Sequence, residues 1–454
     1  MRLTPRLLSP KSKLSTTTTT VTKVTQSSPP PSSSFSWLQA LKTKELQHIA
    51  QKTGLPSSGT KPVLLGALQD GLARHRRDHE VVQIPKEKGN GKGNDNGNGN
   101  GLRVLSIDMG IRNLAFAVLG VSGGVGFGDG MGSFLDEKKE VKAGGALELS
   151  LDAWRWVSLP LDRGFSVEEF ERYLDSAASV SASASGSDSS DNLDTPIGKG
   201  RGKKPQTQSE DKAHTQAQAQ TQEKAKGKEK EKESFSLPVY ATHAHSIVTT
   251  LLERYSPTHI LIERQRFRSG GGAAVQEWSL RVGVFEGMLW AVLHSLQQQK
   301  RAAASGDHGV VGLSPKVIAI EPSRVGRFWV PPSTSSSSSS SSSDEKKING
   351  KKSTSREGKK VKIDLVGSWL ENSVFSTHDG DGVQGWVDAY MAKWKRSTGS
   401  KSKSKSTASG PNALEIGKLD DLADCLVQGV TWLEWERMKS RVVKDGLGGI
   451  DIPP

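Results

Sequence analysis

The chain has 454 residues, room for two or three average domains, but only 34% of them are hydrophobic and these cluster in a few windows between Ser, Gly, Lys and Gln tracts. That distribution predicts one principal core, one small module and several disordered inserts. Lys and Arg number 62 against 49 Asp and Glu, a net charge of +13 that favours a polyanionic partner through phosphate contacts and counterion release, although Lys-rich tracts at 223–232 and 345–362 supply part of it. The lone Cys425 excludes an intramolecular disulfide and argues against a cysteine zinc site, so a metal here is held by oxygen. No window approaches the roughly 18 consecutive apolar residues of a membrane-spanning helix, and no membrane insertion is expected.

The first 44 residues contain no Asp or Glu but carry Arg2, Arg6, Lys11, Lys13, Lys23, Lys42 and Lys44 among many Ser and Thr. Over 1–35 this is the composition of a mitochondrial transit peptide, which predicts a matrix location; a disordered basic tail is the plainer alternative. From residue 36 to 73 the pattern turns helical: Trp37, Leu38, Leu41, Leu46, Ile49 and Ala50, then Gly54-Leu55-Pro56, then Leu64, Leu65 and Leu68. Two short helices joined by a turn fit this spacing. With Gly59-Thr60-Lys61 in the turn it resembles the SAP motif, a small helical DNA-binding module, which makes Lys61 a candidate DNA contact. The alternative is an ordinary helical hairpin docked on the main domain. Residues 74–100 are expected to be a linker.

A catalytic-sized domain is expected over 101–440. Leu102 to Asp108 reads as a buried strand, Asn113 to Leu119 as its hairpin partner, and the region around Leu147 to Val157 as a third strand after a Gly-rich loop. A disordered insertion is expected near 176–235. A helix at 239–255, a strand at 259–263, a helix at 273–297 and a strand at 317–321 follow. Further insertions near 333–360 and 395–410 flank a helix at 361–371, and a last helix spans 419–438 before a tail at 441–454. Without the inserts the order is β-β-β-α-β-α-β-α-α, an α/β fold with an RNase H-like mixed sheet flanked by helices.

Three acidic positions fall where this order brings them to one sheet edge. Asp108 ends the first strand just before Met109-Gly110, and Glu263 ends the fourth. A strand-end carboxylate among apolar residues costs several kcal/mol unless a cation or metal compensates it. On the last helix Asp420 and Asp424 stand at i,i+4, and Asp421 and Asp424 at i,i+3, so either pair shares a face. Complementing the helix dipole accounts for Asp420 and Asp421, but not for Asp424, a turn deeper among apolar neighbours. Together these carboxylates make an oxygen site for Mg²⁺ or Mn²⁺. Two such ions about 3.5–4 Å apart could activate water and stabilise a departing 3′ oxygen. Arg264, Gln265, Arg266 and Arg268 beside Glu263 suit phosphate positioning or, equally, neutralisation of nearby acids. Arg281, Lys316, Arg324 and Arg327 are weaker candidates for that surface, as are Lys360 and Lys362 for the scissile phosphate.

Ser106-Ile-Asp-Met-Gly-Ile-Arg-Asn-Leu-Ala115, Leu261-Ile-Glu-Arg-Gln-Arg-Phe-Arg268 and Lys418-Leu-Asp-Asp-Leu-Ala-Asp-Cys-Leu426 resemble, in order, the three blocks of fungal mitochondrial Holliday-junction resolvases, relatives of bacterial RuvC. The resemblance implies a homodimer that makes paired nicks in four-way junction DNA, in mitochondrial DNA recombination and segregation. It also implies that Asp108, Glu263 and Asp424 are metal ligands, with Asp421 or Asp420 as the fourth. Two alternatives stand beside it. A non-catalytic junction-binding protein would leave the acids idle. An actin-like ATPase would suit Ile107-Asp-Met-Gly110 but needs a second phosphate loop that the sequence lacks.

Overall fold

The computed structural model describes residues 35–81, 101–122, 148–160, 162–182, 235–265, 276–304, 314–329, 355–377, 382–397, 416 and 418–451. The expected transit peptide, most of each expected insertion, Arg266 and Arg268 lie outside these residues.

Three long strands open the main domain: β1 (Leu102–Met109), β2 (Asn113–Ser122) and β3 (Glu148–Ser158). They pair as an antiparallel meander, with a register shift between Val118 and Leu119 where β3 bulges. Then β4 (His259–Glu263) adds in parallel to β1, and β5 (Lys316–Ile320) in parallel to β4. A two-residue β6 (Ser376–Thr377) closes the far edge, so the order is β5-β4-β1-β2-β3-β6. The first five strands form the mixed sheet of an RNase H-like fold, as expected from the sequence.

Both sheet faces are covered, which is why β1 and β2 read as nearly continuous apolar runs. Strand alternation sends Leu105, Ile107, Ile260 and Ile262 to one face, under α3 (Val167–Ala182), α4 (Leu237–Tyr255) and α5 (Glu277–Ala304). Val104 and Leu261 face the other side, where they meet α9 (Leu419–Asp445) with α6 (Pro322–Trp329), α7 (Ser355–Glu371) and α8 (Val383–Ser397) around it. Covered by the sheet on one side and helices on the other, α9 is buried on most of its circumference.

The structure adds elements to the expected order. Helix α3 extends to Ala182, into the segment expected as an insertion from 176, where Ala sustains a helix inside a low-complexity composition. Helix α7 begins at Ser355, and α8 occupies 383–397, reaching into the insertion expected at 395. Buried Val383, Trp386, Val387 and Tyr390 in α8 follow i, i+3, i+4, i+7 spacing, a signal present in the sequence.

The N-terminal module is a 3-10 turn (Ser36–Ala40), α1 (Thr43–Lys52) and α2 (Lys61–Val81). Helix α2 runs eight residues past 73, into the expected linker. The module is docked rather than tethered. Its core of Leu38, Leu46, Ile49, Leu64, Leu68 and Leu72 includes Val442 and Ile450 from the far end of the chain. The segment expected as a tail from 441 therefore belongs to this interface. Gly54 has φ +66°, and a Cβ there would stand 2.2 Å from the Trp435 ring, so glycine is required both for the turn and for the approach to α9. Buried His75 on α2 bridges Glu436 Oε2 at 3.0 Å and Ser440 Oγ at 2.8 Å.

Candidate active site

Asp108 and Glu263 both occupy the sheet face that carries α9. Ile107 pairs with Ile262 in the parallel register, so the two acids follow on adjacent strand ends, and alternation puts them on the side of Ser106 and Leu261. Their strand ends are braced. Gly110 N donates to Asn113 O at 2.7 Å, turning the chain directly after β1. Gln265 Nε2 donates to Met109 O at 3.3 Å, and Gln265 N to Glu286 Oε2 of α5 at 3.1 Å. Gln265, expected at the DNA surface, thus ties β4 to β1. Glu286 had no local signal in the sequence, because its role exists only once α5 crosses the strand end.

Helix α9 is seated by polar contacts in an otherwise apolar interface. Ser106 Oγ donates to Cys425 O at 2.7 Å, Gln428 Nε2 donates to Ser106 Oγ at 3.1 Å and Ile107 O at 3.3 Å, and Trp154 Nε1 donates to Leu422 O at 3.0 Å. At Gly429 a Cβ would come within 2.7 Å of Leu119 Cδ1 and 3.3 Å of Ser106 Cβ. The helix therefore lies against β1 and β2 so closely that a Cβ at 429 would force Leu119 to repack, with Asp421 and Asp424 brought toward the strand-end acids.

Each helix acid holds a partner. Asp424 Oδ1 accepts from Lys362 Nζ at 2.7 Å, with both side chains 20% exposed. Asp420 Oδ2 accepts from Lys359 Nζ at 2.5 Å, and Asp421 Oδ2 from Trp156 Nε1 at 3.2 Å. Lys362, a sequence candidate, is thus at the site; Lys360 is exposed, and its neighbour Lys359 is the one that meets an acid. Among the described residues no three His, Cys, Asp or Glu side chains converge closely enough, as placed, to hold one ion.

The electrostatics show what the acids lack. Burial pushes the Asp108 carboxyl well above the ordinary range, and the carboxylates of Glu263, Asp424 and Asp421 push it further. Asp424 is raised by burial despite Lys362, and Asp421 by burial and Asp420. Burial would raise Asp420 too, but Lys359 outweighs it and holds the group low. A buried group of acids that raise one another and offer only oxygen fits a hard divalent cation, whose charge would reverse these shifts. Asp108 thus feels Glu263, Asp421 and Asp424, while Asp420 acts on Asp421 and Asp424 and is itself paired with Lys359.

Among the other sequence candidates, Arg264 is exposed and pairs with Glu321 at 3.7 Å, and Arg324 meets the same carboxylate at 3.0 Å. Lys316 pairs with Asp78 of the module, and Arg281 with Glu277. Lys61 opens α2 in the module, apart from the acids.

Fold and site define a class: an RNase H-like domain with a carboxylate cluster at the end of its central strands, joined to a SAP module. Residues 37–70 match the SAP domain family, and residues 104–442 match the family described as mitochondrial resolvase Ydc2 / RNA splicing MRS1. The chain belongs to that family. It is 25% identical over 190 residues to the mitochondrial cruciform cutting endonuclease 1 of Schizosaccharomyces pombe, an alignment covering 42% of this chain and 55% of the relative. The chain thus spans about half the length of the curated relative it matches. The crystal structure of the yeast mitochondrial Holliday junction resolvase Ydc2 aligns over 89% of this chain and 99% of its own, at 17% identity and a TM-score of 0.40.

Proposed function

We propose that the protein is a divalent-metal-dependent, structure-selective endonuclease that resolves four-way DNA junctions by paired symmetrical nicks, in mitochondrial DNA recombination and segregation. The carrying observation is the gathering of Asp108, Glu263, Asp421 and Asp424 from two strand ends and one helix onto a single electrostatic site, in a chain of a family that includes mitochondrial resolvases. In this reading Asp108, Glu263, Asp424 and Asp421 hold Mg²⁺ or Mn²⁺, two ions per site, with Asp420 at the margin. The metal supplies water activation and charge stabilisation at the phosphate. Gln265 and Glu286 hold the strand ends in place. Lys362, the partner of Asp424, is within reach of the scissile phosphate once the acids bind cation. Arg264, with Arg266 and Arg268 in the following segment, positions the strand, and Lys61 contributes from the SAP module.

Asp108→Asn should abolish Mg²⁺-dependent cutting of a synthetic four-way junction while leaving junction binding in EDTA unchanged. The panel should include three-way, flap and linear DNA, with structured RNA because the family description also names RNA splicing. Equal cutting by Asp108→Asn would end the nuclease reading, and binding confined to RNA without cleavage would favour a splicing role.

Paired nicks require two centres, and the reading includes a homodimer. Support comes from α5, where Leu280 and Val284, one turn apart, are 49% and 41% exposed. Leu280→Glu should shift the protein to monomer in light scattering and uncouple the two nicks. A Leu280→Glu dimer would place the interface elsewhere. Among the described residues no helix is long and apolar enough to cross a membrane.

A further inference from the structure

We propose that α6 and the turn of the N-terminal module form one composite surface that binds the sugar-phosphate backbone of a DNA arm leading into the acidic centre. The inference rests on the nucleic-acid reading above and extends it to residues outside the carboxylate site.

An unbroken line of contacts runs from the centre to the module. Arg264, directly after Glu263, donates its backbone N–H to Ile320 O at 2.8 Å, and its guanidinium lies 3.7 Å from Glu321. Glu321 also accepts from Arg324 Nε at 3.0 Å, and Arg324 Nη1 reaches across to the Gly54 carbonyl at 3.2 Å. One turn further along α6, Arg327 Nη1 meets Ser57 Oγ at 3.4 Å. Lys52 adds its ammonium 5.2 Å from the Phe328 ring centroid. Gln51, Gly54, Ser57, Arg324 and Arg327 line a shallow groove where helix and module meet.

The chemistry of this row suits phosphate. Its acid, Glu321, is already shared between two arginines, so Arg327 adds charge that no carboxylate in the row takes up. The contacts of Arg327 are to neutral oxygens: Ser323 O at 3.1 Å, Ser323 Oγ at 3.4 Å and Ser57 Oγ at 3.4 Å. Charge-assisted bonds to phosphate oxygens are about twice as strong as neutral ones and would displace these long hydrogen bonds. An eight-residue helix is about 12 Å long, the axial rise of roughly three or four nucleotides of one strand. Because Gly54 seats the module against Trp435 and His75 ties it to Glu436, the groove is preformed rather than assembled on binding.

The test is binding of the full-length protein to four-way junctions in EDTA, across a salt series, for wild type, Arg327→Ala, Arg327→Glu and Arg254→Ala. Arg254, paired with Asp175, lies just before the opposite end of β4 and controls for loss of any surface charge. Arg327→Ala should weaken binding roughly three- to tenfold and lower the slope of log affinity against log salt by about one; Arg327→Glu should do more. The difference should vanish when the junction arms are trimmed too short to reach α6. Wild-type affinity and slope in both Arg327 variants, or equal losses in Arg254→Ala, would overturn the proposal. If wild type binds with an Arg327-dependent slope but cuts nothing in Mg²⁺, the surface stands and the nuclease reading falls. If it binds no DNA, both fall.

Discussion

At the scale of single residues, the acids were legible in the sequence and their partners were not. Asp108 and Glu263 stand out because a carboxylate at the end of an apolar strand has no inexpensive structural explanation, and Asp424 because it lies a turn too deep to serve the helix dipole. Lys359 stands 61 residues from Asp420, Trp156 is 265 from Asp421 and Glu286 is 21 from Gln265, and no local pattern carries such pairings. Lys362 yields a prediction. Its ammonium pairs with Asp424, so a cation held by Asp424 as proposed would have to displace it. Lys362→Met should therefore cost about 1–3 kcal/mol in EDTA, the penalty for an unsatisfied half-buried group. The same variant should gain more melting temperature than wild type when Mg²⁺ is added, since binding to the folded state alone stabilises in proportion to affinity. Equal gains in calorimetry would show that Lys362 does not compete with the metal.

At the scale of elements, the apolar runs of β1 and β2 and the short strands β4 and β5 could be read directly, whereas the depth at which α9 lies could not. The sequence Gln428-Gly429-Val430 offers only a helical glycine, ordinarily a mild weakness. In the structure Gly429 lets the helix backbone approach Leu119 and Ser106, and this approach carries Asp421 and Asp424 to the strand ends. Gly429→Ala should cost about 1–3 kcal/mol by overpacking a filled interface. Its single-turnover cleavage rate at saturating enzyme should fall more than its junction affinity, because the displaced groups are the proposed metal ligands rather than the proposed DNA contacts. Urea titration and rapid-quench kinetics read the two effects separately. Wild-type stability and rate would mean that the helix can shift without moving the acids.

At the scale of the whole molecule, the sequence suggested a binding module on a linker, and the structure joins the module to the sheet domain through α9. The helix carries the acids at its first turns and receives the module at its last, so one element spans from the module to the acidic site. The lock at the module end is ionic: half-buried Glu436 is held by Lys439 and His75, and despite the opposing effect of burial they lower its carboxyl to about 2. A folded-state value below the unfolded one, near 4.5, contributes stability that is fully present above about pH 4.5 and is lost as pH falls toward 2. At 1.36 kcal/mol per pH unit this is on the order of 3 kcal/mol. Glu436→Gln should lower stability at pH 7 and flatten the acid side of the stability profile between about pH 5 and 2. It should also expose the α1–α2 turn to limited proteolysis at neutral pH while the core around the sheet stays protected. Because the groove beside Arg327 exists only when the module is docked, Glu436→Gln should weaken junction binding as well, and this loss should not add to that of Arg327→Ala in the double variant. Full additivity would separate the lock from the surface.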